Sequence, residues 1–178
     1  MAKFADADLE VERQRRELCD KLKALFSAAV DAYRDRLRVR VEKDATELFL
    51  RLTSEPEYKE LRINDSYGLT IVHHDGSEIP VRSAGAEHIV ALSLMGALQR
   101  NAPLRGPIVM DSPFGRLDDT HTTKVIQALP SMADQVLLLV YESELDPIEA
   151  RNHLKGKLRK EYRIVRRSAR HSEIETMA

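Results

Sequence analysis

What this chain of 178 residues lacks closes several classes of function at once. No apolar run approaches the roughly 20 residues needed to cross a bilayer, and the polar start MAKFADADLE has no apolar signal core. A cytoplasmic protein with no membrane partner is therefore expected. The single cysteine, Cys19, excludes an intrachain disulfide framework, and its charged, helix-patterned surroundings give it a structural or incidental role. Charge of one sign is missing too: 28 Lys and Arg against 29 Asp and Glu leave a net charge of -1, so a nucleic-acid partner must be met by a local patch. His73, His74 and His121 have no cysteine or carboxylate cluster at metal-ligand spacing around them. No Ser-His-Asp or Cys-His arrangement can be argued from spacing. Finally, no G-x-x-x-x-G-K-S/T occurs, the loop whose amides and lysine cradle nucleotide phosphates. What is present, 43% hydrophobic residues, suffices for one domain with an ordinary core, or one domain plus an extension.

Between Asp8 and Leu52 there is neither glycine nor proline, and Leu18, Leu22, Leu25, Ala29, Tyr33, Leu37, Val41, Ala45, Leu48 and Leu52 recur at spacings of three and four. This predicts a long amphipathic helix over residues 1–53. At 1.5 Å per residue it runs to roughly 65 Å, longer than a compact domain of this size needs. Its N-terminal third reads as a projecting coiled-coil arm, or the whole as a long helix capping a sheet. Ser54-Glu55-Pro56 ends it, since proline cannot continue a helical turn. Residues 54–178 then change period. Short strands are expected at 61–63 and 69–72, and the Asp75-Gly76 turn leads towards Ile79-Pro80-Val81, together an antiparallel meander. A largely apolar helix follows from Ser83 to about Gln99. Strand 108–110, helix 120–129, strand 136–140 and a helix near 148–154 make the pattern of a parallel sheet with crossover helices, so the fold class is α/β. A last strand near 162–165 is expected to close that sheet.

The richest stretch is PIVMDSPFGRLDD, residues 107–119, where a buried strand ends in Asp111. A carboxylate at the C-terminal tip of such a strand is how many nucleotide-hydrolysing folds hold magnesium. Asp-Ser-Pro is equally a common way to leave a sheet. Upstream, RSAGAEHIVALSLMGAL, residues 82–98, opens a helix with a serine and small residues. Its unpaired amide donors and partial positive charge suit an approaching phosphate, although a serine N-cap near glycine is also a routine helix start.

In this order the motifs resemble the C-terminal half of an ABC-type ATPase head of the SMC, SbcC and RecF group. The GRLD run, residues 115–118, and a hydroxyl residue after Asp111 are most similar to the DndD ATPases associated with DNA phosphorothioate modification and its restriction. The resemblance covers about residues 29–145. It implies the C-terminal lobe of a P-loop ABC-type head, preceded by a coiled-coil arm. It further implies ATP and Mg²⁺ as cofactors, an N-terminal phosphate-loop lobe absent from this chain, and head-head dimerisation. By resemblance Ser83, Ala84 and Gly85 match the signature that contacts the γ-phosphate held by the opposite head. Asp111 matches the Walker B aspartate that positions magnesium, Leu117 and Asp118 match the D-loop, and Gln135 to Leu145 matches the strand leading to the switch position.

The departures carry information as well. Arg82 and Ala86 stand where the signature usually has leucine and glutamate. Ser112 occupies the place of the catalytic glutamate and cannot serve as a base near neutral pH without an activating partner. Glu142 stands at the switch-histidine position as an alternative polariser, although Glu142 and Glu144 can also be read as solvated loop acids. Residues 151–170 hold nine Lys and Arg with Glu161 as the only acid, a surface able to neutralise DNA phosphates or simply to discourage edge pairing. The leading reading is a DndD-like ATPase lobe in DNA modification, restriction or repair. Its rivals are a non-catalytic ABC-like interaction module, and an unrelated parallel α/β domain whose motifs lie on distant surfaces.

Overall fold

A computed structural model of the chain describes residues 2–79 and 83–177, with the side chains of residues 2–8 left aside. Pro80, Val81 and Arg82, and with them the end of the expected third strand and one departure from the signature, lie outside the described residues. The chain divides into two compact units, residues 1–41 and 42–178.

Helix α1, Ala2–Leu52, is continuous, as the absence of glycine and proline requires. In the first unit every side chain from residue 9 to 36 is exposed. Local ion pairs decorate it: Arg13–Glu10 at 3.8 Å, Arg15–Glu12 at 2.8 Å, Lys21–Glu17 at 2.6 Å and Arg34–Asp31 at 3.3 Å. Such pairs contribute a few tenths of a kcal/mol each, too little to hold a helix that buries nothing. Leu18, Leu22, Leu25 and Tyr33 of the expected stripe are bare, and so are Phe26, Val30 and Val39 beside it. The apolar surface is therefore broader than the single stripe read from the sequence.

In the second unit the same spacing is buried. Ala45, Leu48, Phe49 and Leu52 lie in the core, and the Thr53 N–H bonded to the Phe49 carbonyl closes the helix just before Pro56. Strands β1 (Tyr58–Ile63), β2 (Leu69–His73) and β3 (Glu78–Ile79) form the expected antiparallel meander in the order β1-β2-β3, with Leu61 opposite Ile71 and Ile71 opposite Ile79. The outer edge of β1 would present unpaired amides to solvent. Side chains of α1 occupy it instead: Thr46 Oγ1 accepts the Leu61 N–H at 3.1 Å and donates to the Leu61 carbonyl at 3.0 Å, while Glu42 Oε2 accepts the Ile63 N–H at 2.7 Å.

Helix α2, Ala84–Asn101, buries Ile89, Val90, Leu92, Ser93, Gly96 and Ala97, more than one side of its surface, as its composition predicts. Strand β4 (Ile108–Asp111), helix α3 (Asp119–Ala128), a 3₁₀ turn (Leu129–Ser131) and strand β5 (Val136–Leu139) make a parallel β-α-β unit, with Ile108 opposite Val136 and Asp111 opposite Leu139. Ile108 and Met110 face the core, whereas Val109, Leu137 and Leu139 form a bare apolar face. Parallel sheets are ordinarily covered on both faces.

After the short helix α4, Pro147–His153, comes a correction. Residues 162–165 do not close the parallel sheet: β6 (Tyr162–Ser168) pairs antiparallel with β7 (His171–Thr176), a strand absent from the sequence reading, in a hairpin of its own. The Ala169-Arg170 turn carries none of the glycine, asparagine or proline that marks hairpins, and HSEIET is too polar to read as a strand. Ile164 and Ile174 sit opposite one another and are 64% and 72% exposed.

Candidate functional site

Asp111 is the last residue of β4, on the sheet's bare face and exposed, its carboxylate without a hydrogen bond or ion pair among the described residues. The next residue makes the turn. Ser112 has φ +50, in the left-handed region that non-glycine residues seldom adopt, and its N–H donates to the Leu139 carbonyl at 2.8 Å. Such a conformation costs about 1 kcal/mol or more and persists only where the surroundings determine it. Here Phe114, 2% exposed, anchors the turn in the core.

Two side chains hold that turn. Glu144 Oε1, reaching back from the loop after β5, accepts the Phe114 N–H at 3.2 Å, and a Cβ added to Gly115 would stand 3.1 Å from the same oxygen. His88 of α2 bonds through Nε2 to the Pro113 carbonyl at 2.5 Å, and because a carbonyl only accepts, Nε2 carries the proton. The start of α2 also approaches the turn through backbone, since a Cβ on Gly85 would lie 3.5 Å from the Arg116 carbonyl oxygen. The first turns of the signature-like helix and the stretch from Pro113 to Arg116 are therefore neighbours.

Ser83 caps α2, its Oγ accepting the Ala86 N–H at 3.1 Å. Its hydroxyl proton stays free to donate, and the amides of Ala84 and Gly85 have no acceptor among the described residues, as at any helix start. These three donors face the exposed end of the helix. Ala86 supplies no polar contact there.

Asp118 has a defined local duty. It is the N-cap of α3, and its carboxylate accepts the His121 N–H at 2.8 Å and the His121 ring Nδ1–H at 2.9 Å. These two hydrogen bonds, backbone first, hold its pKa below the usual carboxylate value. His121 Nε2 in turn meets Ser54 Oγ at 3.1 Å, just past the end of α1. Ser54, His121 and Asp118 thus stand in the order of a nucleophile, base and orienting acid that spacing alone did not reveal. With Asp118 engaged as the cap of α3, the arrangement ties α3 to the end of α1.

The two acids of the loop after β5 take different places. Glu142 is largely exposed and paired with Arg163 Nη2 at 2.7 Å, pointing to β6. Glu144, read as a possible solvated loop acid, is the one at the Asp111 turn. Only its position two residues further along the loop, unreadable without the turn geometry, distinguishes it.

In the basic segment Arg151 and Glu161 form a two-pronged bond, Nε to Oε2 at 2.8 Å and Nη2 to Oε1 at 2.7 Å, which lowers the Glu161 pKa. Arg163 is held by Glu142, and Arg167 by Glu173 and Glu175 of β7. Lys155, Lys157, Arg159 and Lys160, between α4 and β6, have no ion pair among the described residues. Among those residues no group of three or more His, Cys, Asp or Glu could hold a metal ion, and no helix is long and apolar enough to cross a membrane. A lone Asp111 carboxylate still suits Mg²⁺, which keeps waters and phosphate oxygens and takes only one or two protein carboxylates.

No protein-family profile matches the chain. In sequence it is similar to a DNA double-strand break repair Rad50 ATPase of Halobacterium salinarum, 26% identical over 120 residues that cover 60% of this chain and 14% of that protein. The chain thus spans about a seventh of that relative's length. Among solved structures it resembles a chain from a study of ATP-driven dimerisation and DNA-stimulated activation of SMC ATPases, with TM-score 0.59 and 19% identity over 80% of this chain and 86% of that one. It resembles equally the Smc head domain with coiled coil and joint of Pyrococcus yayanosii, TM-score 0.59 and 19% identity over 96% of this chain and 34% of that one. An Smc head bound to the C-terminal winged-helix domain of ScpA matches with TM-score 0.59 and 18% identity over 80% of this chain and 44% of that one. Long helix, meander, capped helix and β-α-β unit together give this chain the fold of a part of an SMC-type ATPase head.

Proposed function

We propose that the chain is the C-terminal lobe of an ATPase head that binds ATP and Mg²⁺ only when a phosphate-loop lobe completes it and a second head closes over it. The observation that carries this reading is the contact between the start of α2 and the turn after Asp111, because a nucleotide sandwiched between two heads needs both on one surface. In the assembled head Asp111 would hold Mg²⁺, which supplies charge neutralisation at the phosphates. Ser83 and the amides of Ala84 and Gly85 would donate to the γ-phosphate of a nucleotide held by the opposite head. The bare face of Val109, Leu137 and Leu139 is what the phosphate-loop lobe would cover, and the exposed apolar residues of α1 would pack on the other strand of a coiled-coil arm. The setting is a cytoplasmic DNA transaction, and the GRLD run with Ser112 supports a DndD-like role in modification, restriction or repair. DNA would meet the unpaired cations between Lys155 and Lys160.

The test is to join the chain with a phosphate-loop lobe and measure ATP-dependent dimerisation and turnover in wild type and Asp111→Ala. Turnover should fall by at least about 100-fold in the variant. Unchanged turnover removes the Walker B assignment.

A second reading, a non-catalytic ABC-like module, is favoured by Ser112 and by the engagement of Asp118 as a helix cap. It predicts ATP binding and dimerisation without turnover in the same assembly.

A further inference from the structure

The turn from Asp111 to Gly115 is held at two points by side chains that belong to different motifs. Pro113 offers its carbonyl to His88, one turn beyond Gly85 on α2, and Phe114 offers its N–H to Glu144, just beyond β5. Glu144 is itself fixed: its N–H donates to the Tyr141 carbonyl at 2.9 Å, its Oε2 accepts the Tyr141 N–H at 3.5 Å, and the next residue, Leu145, is buried. Glu144 is half-buried and forms no ion pair among the described residues. Gly115 records the same closeness, for a side chain there would press on Glu144 Oε1. On the other side of the turn lies Ser112, whose left-handed backbone needs support from its surroundings. Glu142, two residues earlier in the same loop, is paired with Arg163 instead.

We propose that Glu144 is a positioning residue of the nucleotide site: from the loop after β5 its carboxylate fixes the turn that carries Asp111 and Ser112, with His88 holding the same turn from α2. The proposal rests on the reading of Asp111 as the magnesium aspartate. Because the turn is held from both the signature-like helix and the switch strand, a shift of either element moves Ser112 and the Asp111 carboxylate with it. The chemistry is positional: Glu144 reaches the backbone of Phe114, and its effect on a reaction passes through the geometry of the turn.

The experiment has two readouts. On this chain, amide exchange at Phe114 and Gly115 is measured in wild type, Glu144→Ala, Glu144→Gln and, as a control on exposed α4, Glu149→Gln. In the head joined with a phosphate-loop lobe, kcat and KM for ATP are measured for the same set, with Asp111→Ala as reference. Glu144→Ala should raise exchange at Phe114 about tenfold or more and lower kcat about tenfold, with KM within about twofold. Glu144→Gln retains an amide oxygen that can accept the Phe114 N–H, so it should recover most of both, and Glu149→Gln should match wild type. Unchanged exchange in Glu144→Ala would overturn the proposal, as would raised exchange with unchanged kcat while Asp111→Ala is inactive. A glutamine variant with protected exchange but the alanine variant's kcat also overturns it, since the charge would then be acting at the reacting atoms. If Asp111→Ala turns over normally, the Walker B reading fails by itself, whatever exchange at Phe114 shows. Should the alanine variant not fold, Glu144→Ser, whose hydroxyl is too short to reach the Phe114 N–H, takes its place with the same expected rise in exchange and fall in kcat, and the same contrary results overturn the proposal.

Discussion

Gly96 of α2 and Leu48 of α1 approach so closely that a Cβ on the glycine would stand 2.7 Å from the leucine Cδ1 and 3.3 Å from Met132 Cγ. Leu48 and Met132 are almost wholly buried, so neither can swing aside into solvent. This crossing sets where α2 lies on the second unit, and therefore where its first turn meets the Pro113 turn. Gly96→Ala gains about 1 kcal/mol of helix propensity but overpacks the core by about 1–3 kcal/mol. The clash should win, giving a lower denaturant midpoint. Adding Leu48→Val should recover part of the loss, and a purely additive double mutant would show that the two do not meet.

Thr46 satisfies both backbone groups of Leu61 at the sheet edge. Thr46→Val keeps the shape and removes both bonds, leaving a half-buried N–H and carbonyl unpaired at a cost of about 1–3 kcal/mol. Amide exchange at Leu61 should accelerate before exchange at Ile71 on the inner strand does. Equal acceleration at both would mean that the meander opens as one unit and that Thr46 does not guard its edge.

The α1 end and the meander were legible because proline, glycine and a change of period mark them, and the β4-α3-β5 unit because short apolar runs flank a helical segment. The β6-β7 hairpin was not, since its turn lacks the usual turn residues and its cross-strand pairs, such as Arg167 with Glu173 and Glu175, are announced by no local pattern. The site divides the same way. Asp111, Ser83 and Asp118 stand at element ends that sequence can locate. Glu144 and His88 touch the Asp111 turn from 30 and 25 positions away along the chain, and only the fold brings them there.

Asp118 titrates below the ordinary carboxylate value because the folded state gives it the His121 amide and ring as donors. A depressed folded pKa means that its contribution to stability is present above the unfolded pKa, about 3.9, and is lost as pH falls through the lower folded value. Carboxyl NMR should place the Asp118 midpoint in the folded chain below the unfolded aspartate value of about 3.9. His121→Ala should raise it, and Asp118→Asn should retain the helix cap while removing this step from the acid-unfolding curve. A midpoint that ignores His121 would mean the ring does not reach the carboxylate in solution.

The basic segment separates into cations that are already neutralised and cations that are not, and salt dependence can tell them apart. Arg151, Arg163 and Arg167 have carboxylate partners, so replacing them with glutamine should change DNA affinity little. Lys157, Arg159 and Lys160 stand without ion pairs among the described residues, and each that meets a phosphate releases counterions on binding. The slope of log K against log salt should therefore fall by about one for each of these three replaced. Measured by fluorescence anisotropy on a short duplex, an equal effect in both groups would assign the interaction to net charge alone. A larger effect from the paired arginines would mean that DNA displaces Glu142, Glu161 and Glu173, and that the loop between α4 and β6 is an ordinary solvated face.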